Sequence, residues 1–402
     1  MTEKNINRRD FVKSTAVLGS SFLIANASSV KGSQANSKIE VGVIGLGGRG
    51  SLIAGFLKEH AGYQITAVAD YFPEVSTRVG EELGVEKSRR FSGLLGYQRL
   101  IDSGVDAAFL ETPPYAFPDH VEYAVQNDCH VYMAKPIACD APGTLRVLAN
   151  AEKATANGKV FLIDYQMRTD PVNIEIIKRI REGQIGDFGL VHSIGFGNGF
   201  LDPPRERSMA SRLQNLAWVP DDALGGGNLV NYDIHAIDAG LWIAGGRPVS
   251  AMGSSRMVVN NSNSDSHRVS SVTLQFENGV IMNHISEHFR NVNDGALDAY
   301  VYGTEGYAET KYWGKAILRS NLGAHAGEME NLYNNGILRN LDTFHQSIIK
   351  GDVSNSTVQS GVNSNLAAIL AREAAKRNGL MSMEQLIEEN VELEVDYTGL
   401  VE

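Results

Sequence analysis

Cysteine is scarce in this chain: 402 residues contain two, Cys129 and Cys139, on either side of one predicted strand. Two thiols cannot make a disulfide framework, so the fold must rest on its core, and packing is the role expected of both. Positive charge is the scarcer sign, with 36 lysines and arginines against 47 acidic residues and a net charge of −11. That balance disfavours nucleic acid or an anionic membrane surface as a partner and suits a neutral small molecule. No apolar run reaches about 18 residues, so no transmembrane helix is expected. No Gly-x-Ser-x-Gly nucleophile elbow occurs. No metal site is expected either: His284 and His288 share a face of a predicted strand, but no third ligand has suitable spacing, and they read as hydrogen-bonding sheet residues. Trp218, Trp242 and Trp313 could stack on a sugar ring, yet two of them lie within apolar patterns that favour core positions.

What is present is ordinary globular composition, 43% hydrophobic and 21% charged, at a length that suggests two domains. The first 37 residues stand apart. Arg8 and Arg9, then Phe11, Val12, Lys13 and a mild apolar run to Ala27, resemble a twin-arginine export signal, with Ala25-Asn26-Ala27 as a small-x-small cleavage site. Export by that route implies the twin-arginine translocation machinery as a partner, a periplasmic or otherwise exported location, and a protein that folds, often around a cofactor, before it crosses.

Residues 38–160 alternate short β-branched runs with helical patterns, which predicts a doubly wound parallel sheet of the Rossmann type. IEVGVIG, YQITAVAD, VDAAFLE and HVYMA are its strands. From 161 to 402 strand-like stretches follow one another, with Glu277-Asn278-Gly279 as a hairpin turn, before helical patterns return. That texture predicts an α+β domain built on a large, mostly antiparallel sheet. Its last two helical patterns each end on a glycine suited to a left-handed cap, Gly351 and Gly379.

Gly45-Leu46-Gly47-Gly48-Arg49-Gly50 fits G-x-G-x-x-G between a predicted strand and a helix. Gly45 permits the tight turn, Gly47 lets the backbone approach a pyrophosphate, and Gly50 lets the helix pack on the sheet, while the helix N-terminus offers free amides to phosphate. Asp70 ends the second strand 20 residues after Gly50. A carboxylate there accepts the ribose hydroxyls of NAD and repels the 2′-phosphate of NADP, so NAD is the expected cofactor; a flavin and a plain flexible turn are the alternatives. Lys135-Pro136 follows the strand HVYMA at the carboxyl edge of the sheet, where such folds bind ligands. A lysine there can reach the nicotinamide region and hold a developing alkoxide.

VIGLGGRG, VAD, the ETPP loop with Thr112 and Pro113, His120 on the next helix, and AKPIA together resemble the family of glucose-fructose oxidoreductase, inositol dehydrogenase and MocA. The resemblance implies that Thr112, Pro113, His120 and Lys135 contact the cofactor. Two departures stand out: Ala134 replaces the glutamate of the usual Glu-Lys-Pro, and Pro114 replaces an asparagine after Thr-Pro.

In the second domain, GGGNLVNYDIHAIDAGLW reads as one helix on which Asn231, His235 and Asp238 lie four and three residues apart and share a side. A neutral imidazole at His235 can take the proton of an alcohol. The resemblance makes His235 and Lys135 the catalytic pair, with Asn231 where the inositol dehydrogenase branch carries an aspartate, Asp238 a turn away as its possible substitute, and Asp233 off that face. It also puts Arg168 on the substrate cleft; a surface salt bridge is the other reading. The expected activity is oxidation of a secondary hydroxyl of a sugar or glycoside, a 3-keto sugar being the first specific product, with a tightly held NAD. The same architecture serves inositol and other cyclitol dehydrogenases and NAD-dependent glycosidases of the α-N-acetylgalactosaminidase kind; a non-catalytic sensor is a third class. A homo-oligomer formed through the open face of the second sheet is also implied.

Overall fold

The computed structural model describes residues 38–202, 208–258, 263–291, 294–354 and 357–400. Residues 1–37, where an export signal and linker are expected, lie outside the described residues. Six strands, β1 (Ile39–Ile44), β2 (Tyr63–Asp70), β3 (Arg90–Ser92), β4 (Ala107–Leu110), β5 (His130–Ala134) and β6 (Phe161–Asp164), form a parallel sheet in the order β3-β2-β1-β4-β5-β6. The order reverses beside β1, which opens a crevice above the carboxyl ends of β1 and β4. The parallel sheet therefore takes in Phe161–Asp164, past the 160 boundary expected from texture.

Helices α1 (Gly48–Glu59), α2 (Pro73–Leu83), α3 (Gly96–Asp102), α4 (Phe117–Gln126) and α5 (Ala141–Ala156) alternate with these strands. Both faces of the sheet are buried, which is why its strands read as unbroken apolar runs. Val41, Val43, Phe109, Tyr132 and Leu162 pack on one side, and Leu110, Met133, Phe161 and Ile163 on the other. Cys129 and Cys139 are buried free thiols, as packing residues should be. Asp119 and Glu122 both bind Arg146 on the surface of α4 and α5.

The second sheet has nine strands: β7 (Leu190–Asn198), β8 (Ser250–Arg256), β9 (Val269–Gln275), β10 (Ile281–Phe289), β11 (Ala296–Tyr302), β12 (Gly306–Lys311), β13 (Gly314–Ser320), β14 (Gly323–Met329) and β15 (Leu380–Ser382). Their order is β14-β13-β12-β11-β7-β10-β9-β8-β15. All neighbours run antiparallel except β7 and β10. The long excursion after β7 supplies the crossover that a parallel pair requires. Gly279, at φ +83°, turns β9 into β10 as the sequence predicts.

After α6 (Pro171–Arg181), helices α7 (Gly227–Asn231) and α8 (Ile234–Ala244) occupy that excursion, and α9 (Leu332–Lys350) and α10 (Thr357–Arg377) follow the sheet. Helix α9 returns to the first domain, where Ile337, Leu341 and Phe344 complete one of its apolar faces. Gly351 caps α9 at φ +66°, but α10 ends on Asn378 at φ +50° rather than on Gly379. The other face of the nine-stranded sheet stays open, with Met252, Ile281, Ile285 and Tyr302 exposed.

Candidate active site

The glycine loop has the geometry its sequence demands. Gly45 sits at φ +90°, and a Cβ on Gly50 would lie 1.8 Å from the Gly45 carbonyl oxygen, so no side chain fits there. Gly47 and Gly48 face open space, and Gly47 stands at the N-cap of α1 without a capping side chain. Backbone amides at that helix end are thus free to meet an anion. The loop borders a cavity of about 1440 Å³ that Asp70, Thr112, Pro113 and His120 also line.

Asp70 accepts hydrogen bonds from the backbone N–H of Leu46 at 2.7 Å and of Phe72 at 2.9 Å. A carboxylate has about four acceptor sites, so two remain for a ligand. Burial pushes its carboxyl pKa up against those two bonds. Thr112 Oγ1 and His120 Nδ1 are 3.3 Å apart, and the imidazole lies against Tyr97 at 4.1 Å. Burial lowers the His120 pKa to about 3, so the ring is a neutral hydrogen-bonding group.

Arg49 departs from what its place in the loop implies. Its guanidinium turns to the carboxyl ends of β4 and β6, where Nη2 bonds Asp164 and Nε lies 3.2 Å from Glu111 Oε2, with the Tyr333 ring beneath at 5.2 Å. Asn340 donates to the other Asp164 oxygen at 2.6 Å. Asp164 therefore takes the better share of Arg49. Glu111 is left fully buried with the Arg49 ion pair and no well-aligned hydrogen bond among the described residues, and burial raises its pKa to about 8 against the pull of Arg49.

Lys135 leaves β5 between these two strand ends, and its Nζ donates to the backbone carbonyl of Asn231 at 2.7 Å. That bond ties the first domain to the end of α7. Burial, then the charge of Arg49, lowers the lysine pKa to about 7. His235, at the start of α8, is 7% exposed, and its Nδ1 has no hydrogen-bond partner among the described residues. Its pKa falls well below the usual range through burial and then the charges of Lys135 and Arg49. Tyr312 holds the imidazole edge-on at 4.8 Å.

Residues 39–162 match the family described as an oxidoreductase family with an NAD-binding Rossmann fold, and residues 174–309 match the GFO/IDH/MocA C-terminal domain. The chain belongs to the GFO/IDH/MocA oxidoreductase family. Scyllo-inositol 2-dehydrogenase (NAD(+)) of Bacillus subtilis is 25% identical over 56% of this chain and 59% of its own. The 2,7-anhydro-N-acetylneuraminate hydratase of Escherichia coli is 26% identical over 50% and 48%. The chain thus spans between 48% and 59% of the length of these relatives. Among solved structures, aldose-aldose oxidoreductase from Caulobacter crescentus superposes with a TM-score of 0.70 at 22% identity, over 86% of this chain and all (100%) of that one. Scyllo-inositol dehydrogenase from Lactobacillus casei, solved with NAD(H) and scyllo-inositol, gives 0.67 at 18%, over 87% and 100%. These structural matches establish the shared two-domain fold.

Other expectations need correction in this GFO/IDH/MocA protein. Asn231, His235 and Asp238 do not share one helix, because the chain breaks at Tyr232 and Asp233 between α7 and α8. The Asn231 amide nitrogen is committed to the Gly225 carbonyl at 3.0 Å, so what this residue offers Lys135 is backbone, not carboxamide. Asp238 receives Arg168 through Nε and Nη2 at 2.9–3.0 Å and the Ser364 hydroxyl at 2.6 Å. It is 1% exposed and spent on those partners. Arg168 lies over Trp242 at 5.1 Å and makes this fork with Asp238; like Lys135 and His235, it is not among the residues that line the glycine-loop cavity. Of the three tryptophans, Trp242 packs against the core and carries Arg168, while Trp218 lines the cavity and Trp313 is exposed.

His284 and His288 are hydrogen-bonding sheet residues, as the sequence suggests, but their shared partner behind the helix break went unforeseen. Asp233 accepts from His288 Nε2 at 2.8 Å and faces His284 Nε2 at 3.4 Å, while Ser193 Oγ meets His284 Nδ1 at 2.8 Å. All four side chains are completely buried. Burial pushes the Asp233 carboxyl up, and the two imidazoles more than reverse this, leaving it below the usual carboxylate range. The spacing of His284 and His288 was the available signal. Their partner, Asp233, does point off the His235 side, toward the sheet.

Proposed function

We propose that this family member is an exported, NAD-dependent oxidoreductase that oxidises a secondary hydroxyl of a sugar or glycoside, C3 of a glycoside being the first position to test. The observation that carries this reading is the 2.7 Å bond from Lys135 Nζ to the Asn231 carbonyl, at the end of α7 and four residues before His235 in the first turn of α8. The residues present fit a dinucleotide: open glycine positions, free amides at the α1 N-terminus, spare acceptor capacity on Asp70, and a cavity of sufficient size. Asp70 disfavours a 2′-phosphate, and the nearby Arg78 is already paired with Glu82 at 3.0 Å. When bound, NAD would supply the two-electron acceptor for the carbinol carbon.

The protein side of the reaction follows from burial. His235 is held neutral, with Nδ1 open to a substrate hydroxyl. Its imidazolium is disfavoured beside two cations, so His235 orients the hydroxyl better than it stores the proton. Lys135, with a pKa near 7, is matched to accept that proton at neutral pH and return it on reversal. This exchanges the roles expected from sequence, in which His235 was the base and Lys135 the fixed charge.

The test is product analysis after incubation with a panel of glycosides, free sugars and cyclitols, the last because relatives are named inositol dehydrogenases. A keto product that disappears in both Lys135→Ala and His235→Ala, with NADH binding intact, supports the reading; undiminished turnover in either variant refutes it. One relative is named a hydratase, which favours testing a redox-neutral elimination as the second reading. Release of aglycone from aryl N-acetylhexosaminides without an acceptor would establish a glycosidase instead.

The twin-arginine motif supports an exported protein that carries its NAD across already bound. Denaturing release of dinucleotide from purified protein, and retention of an Arg8→Lys/Arg9→Lys variant in the cytoplasm, test those two parts. The exposed apolar residues on the open sheet face support a homo-oligomer, to be checked by light scattering.

A further inference from the structure

The cavity beside the glycine loop has walls from the second domain as well as the first. One is the segment from Leu213 to Trp218, where Asn215 and Leu216 both adopt left-handed backbone, at φ +52° and +60°. The other is the C-terminal tail, which lies beyond the segment matched to the family's C-terminal domain, ending at 309.

The tail has a defined course. After a helix over Met383–Glu389, Asn390 turns the chain at φ +45°. Leu393 N–H then donates to Asp140 Oδ2 at 2.8 Å, and Asp140 is the N-cap of α5 in the first domain. The tail thus crosses from one domain to the other. Thr398 N–H bonds Asp396 Oδ1 at 2.9 Å and Leu400 N–H bonds the Tyr397 carbonyl at 3.0 Å, a turn that holds Tyr397 in place. The Tyr397 ring stands 6.2 Å from that of Tyr115, in the loop after β4 that carries Thr112 and Pro113, and both rings line the cavity.

Tyr397 is 49% exposed, although it is held on both sides by hydrogen-bonded backbone. An aromatic face kept half in water at a cavity wall gains contact area when a planar ligand enters. Its neighbours identify which part of the cavity it serves. Asp70 at the end of β2 and Tyr97, which lies against His120, line this cavity together with Tyr115 and Tyr397, while Lys135 and His235 do not. Tyr397 thus borders the part of the site away from the reacting end.

We propose that the tail from Val391 to Leu400 is part of the dinucleotide site, with Tyr397 and Tyr115 walling its adenosine half, so that a bound dinucleotide leaves only when the tail lifts. This rests on the NAD reading and deepens it. A strap that ties the two domains over the nucleotide accounts for a cofactor that stays with the protein through repeated turnovers.

The experiment measures release of NADH by fluorescence, using the mature chain loaded with NADH and alcohol dehydrogenase with acetaldehyde to consume whatever escapes. A chain ending at Asn390 and a Tyr397→Ala variant should both load stoichiometrically and release NADH about tenfold faster or more, the scale of one lost aromatic contact. Tyr397→Phe should keep the slow release, since the ring and not the hydroxyl forms the wall. Release from Tyr397→Ala at the rate of the unaltered chain overturns the proposal, whether or not the shortened chain folds. Failure of the unaltered chain to bind NADH at all would instead overturn the NAD reading, and this one with it.

Discussion

Replacing Lys135 by methionine separates the residue's chemistry from its effect on the fold. Burial, reinforced by Arg49, lowers the amine pKa from 10.5 to about 7. The unfolded chain keeps the ordinary value, so between these limits the unfolded state holds the additional proton and stability rises with pH. At about 1.4 kcal/mol per pH unit, reduced near the folded-state pKa, the unaltered protein should gain up to roughly 2 kcal/mol over Lys135→Met between pH 7 and pH 9. The methionine has no proton to lose, and it leaves the Asn231 carbonyl without its donor, which costs about 1–3 kcal/mol at every pH. The offset and the slope are therefore separable. Urea unfolding of both proteins, freed of dinucleotide so that ligand linkage does not contribute, gives the difference directly at each pH. Parallel stability curves across that range would refute the depressed lysine and the proton-accepting role built on it. Oxidation should vanish in the same variant while NADH still binds.

Gly50→Ala places a methyl 1.8 Å from the Gly45 carbonyl and should abolish NADH binding in titration, while circular dichroism still reports a folded chain. Glu111→Gln acts in the sense opposite to the lysine. The raised carboxyl keeps its proton in the folded state up to about pH 8, so stability falls as pH rises from about 4.5 to 8, and the variant's urea curves should lose that slope. Asp233→Asn replaces one of the buried oxygens that face His284 and His288 with an amide donor and should lower unfolding stability by about 1–3 kcal/mol, the scale for leaving a buried hydrogen-bonding group unsatisfied. His288→Gln should do much of the same damage, and the double variant should cost less than the two losses added together.

What could be read from sequence was what local sterics dictate. Gly45 and Gly50 have no substitute in a strand-turn-helix of this shape, and Lys135 is fixed at the sheet edge by five preceding strand residues. The His235 helix was half legible. Its apolar period was right, but helical spacing cannot reveal that Asp233 is drawn to a strand more than 50 residues away, which breaks the helix and turns Asn231 backbone toward Lys135. Arg168 and Asp238 looked like candidates for substrate because each was weighed alone, and together they neutralise one another. Trp218 and Tyr397 were missed as cavity walls because a contact between distant segments leaves no periodic trace.

The replacement of the usual glutamate by Ala134 also has a physical reading. In the sheet register Ala134 pairs with Asp164 on β6, and the Leu110–Met133 pair on the other side places Glu111 next to it at the end of β4. Carboxyls thus flank position 134 from both sides, facing two cations, Arg49 and Lys135. Arg49 already satisfies Asp164 better than Glu111, whose raised pKa shows that the second carboxyl is short of countercharge. A glutamate at 134 would set a third carboxyl in the same low-dielectric edge with no cation left for it. It would either bury an unpaired charge, at several kcal/mol, or draw Lys135 away from the Asn231 carbonyl and raise its pKa out of the neutral range. Arginine in the glycine loop, carboxyls on β4 and β6, and alanine on β5 are therefore one coupled choice, and it keeps the lysine free to exchange a proton near pH 7.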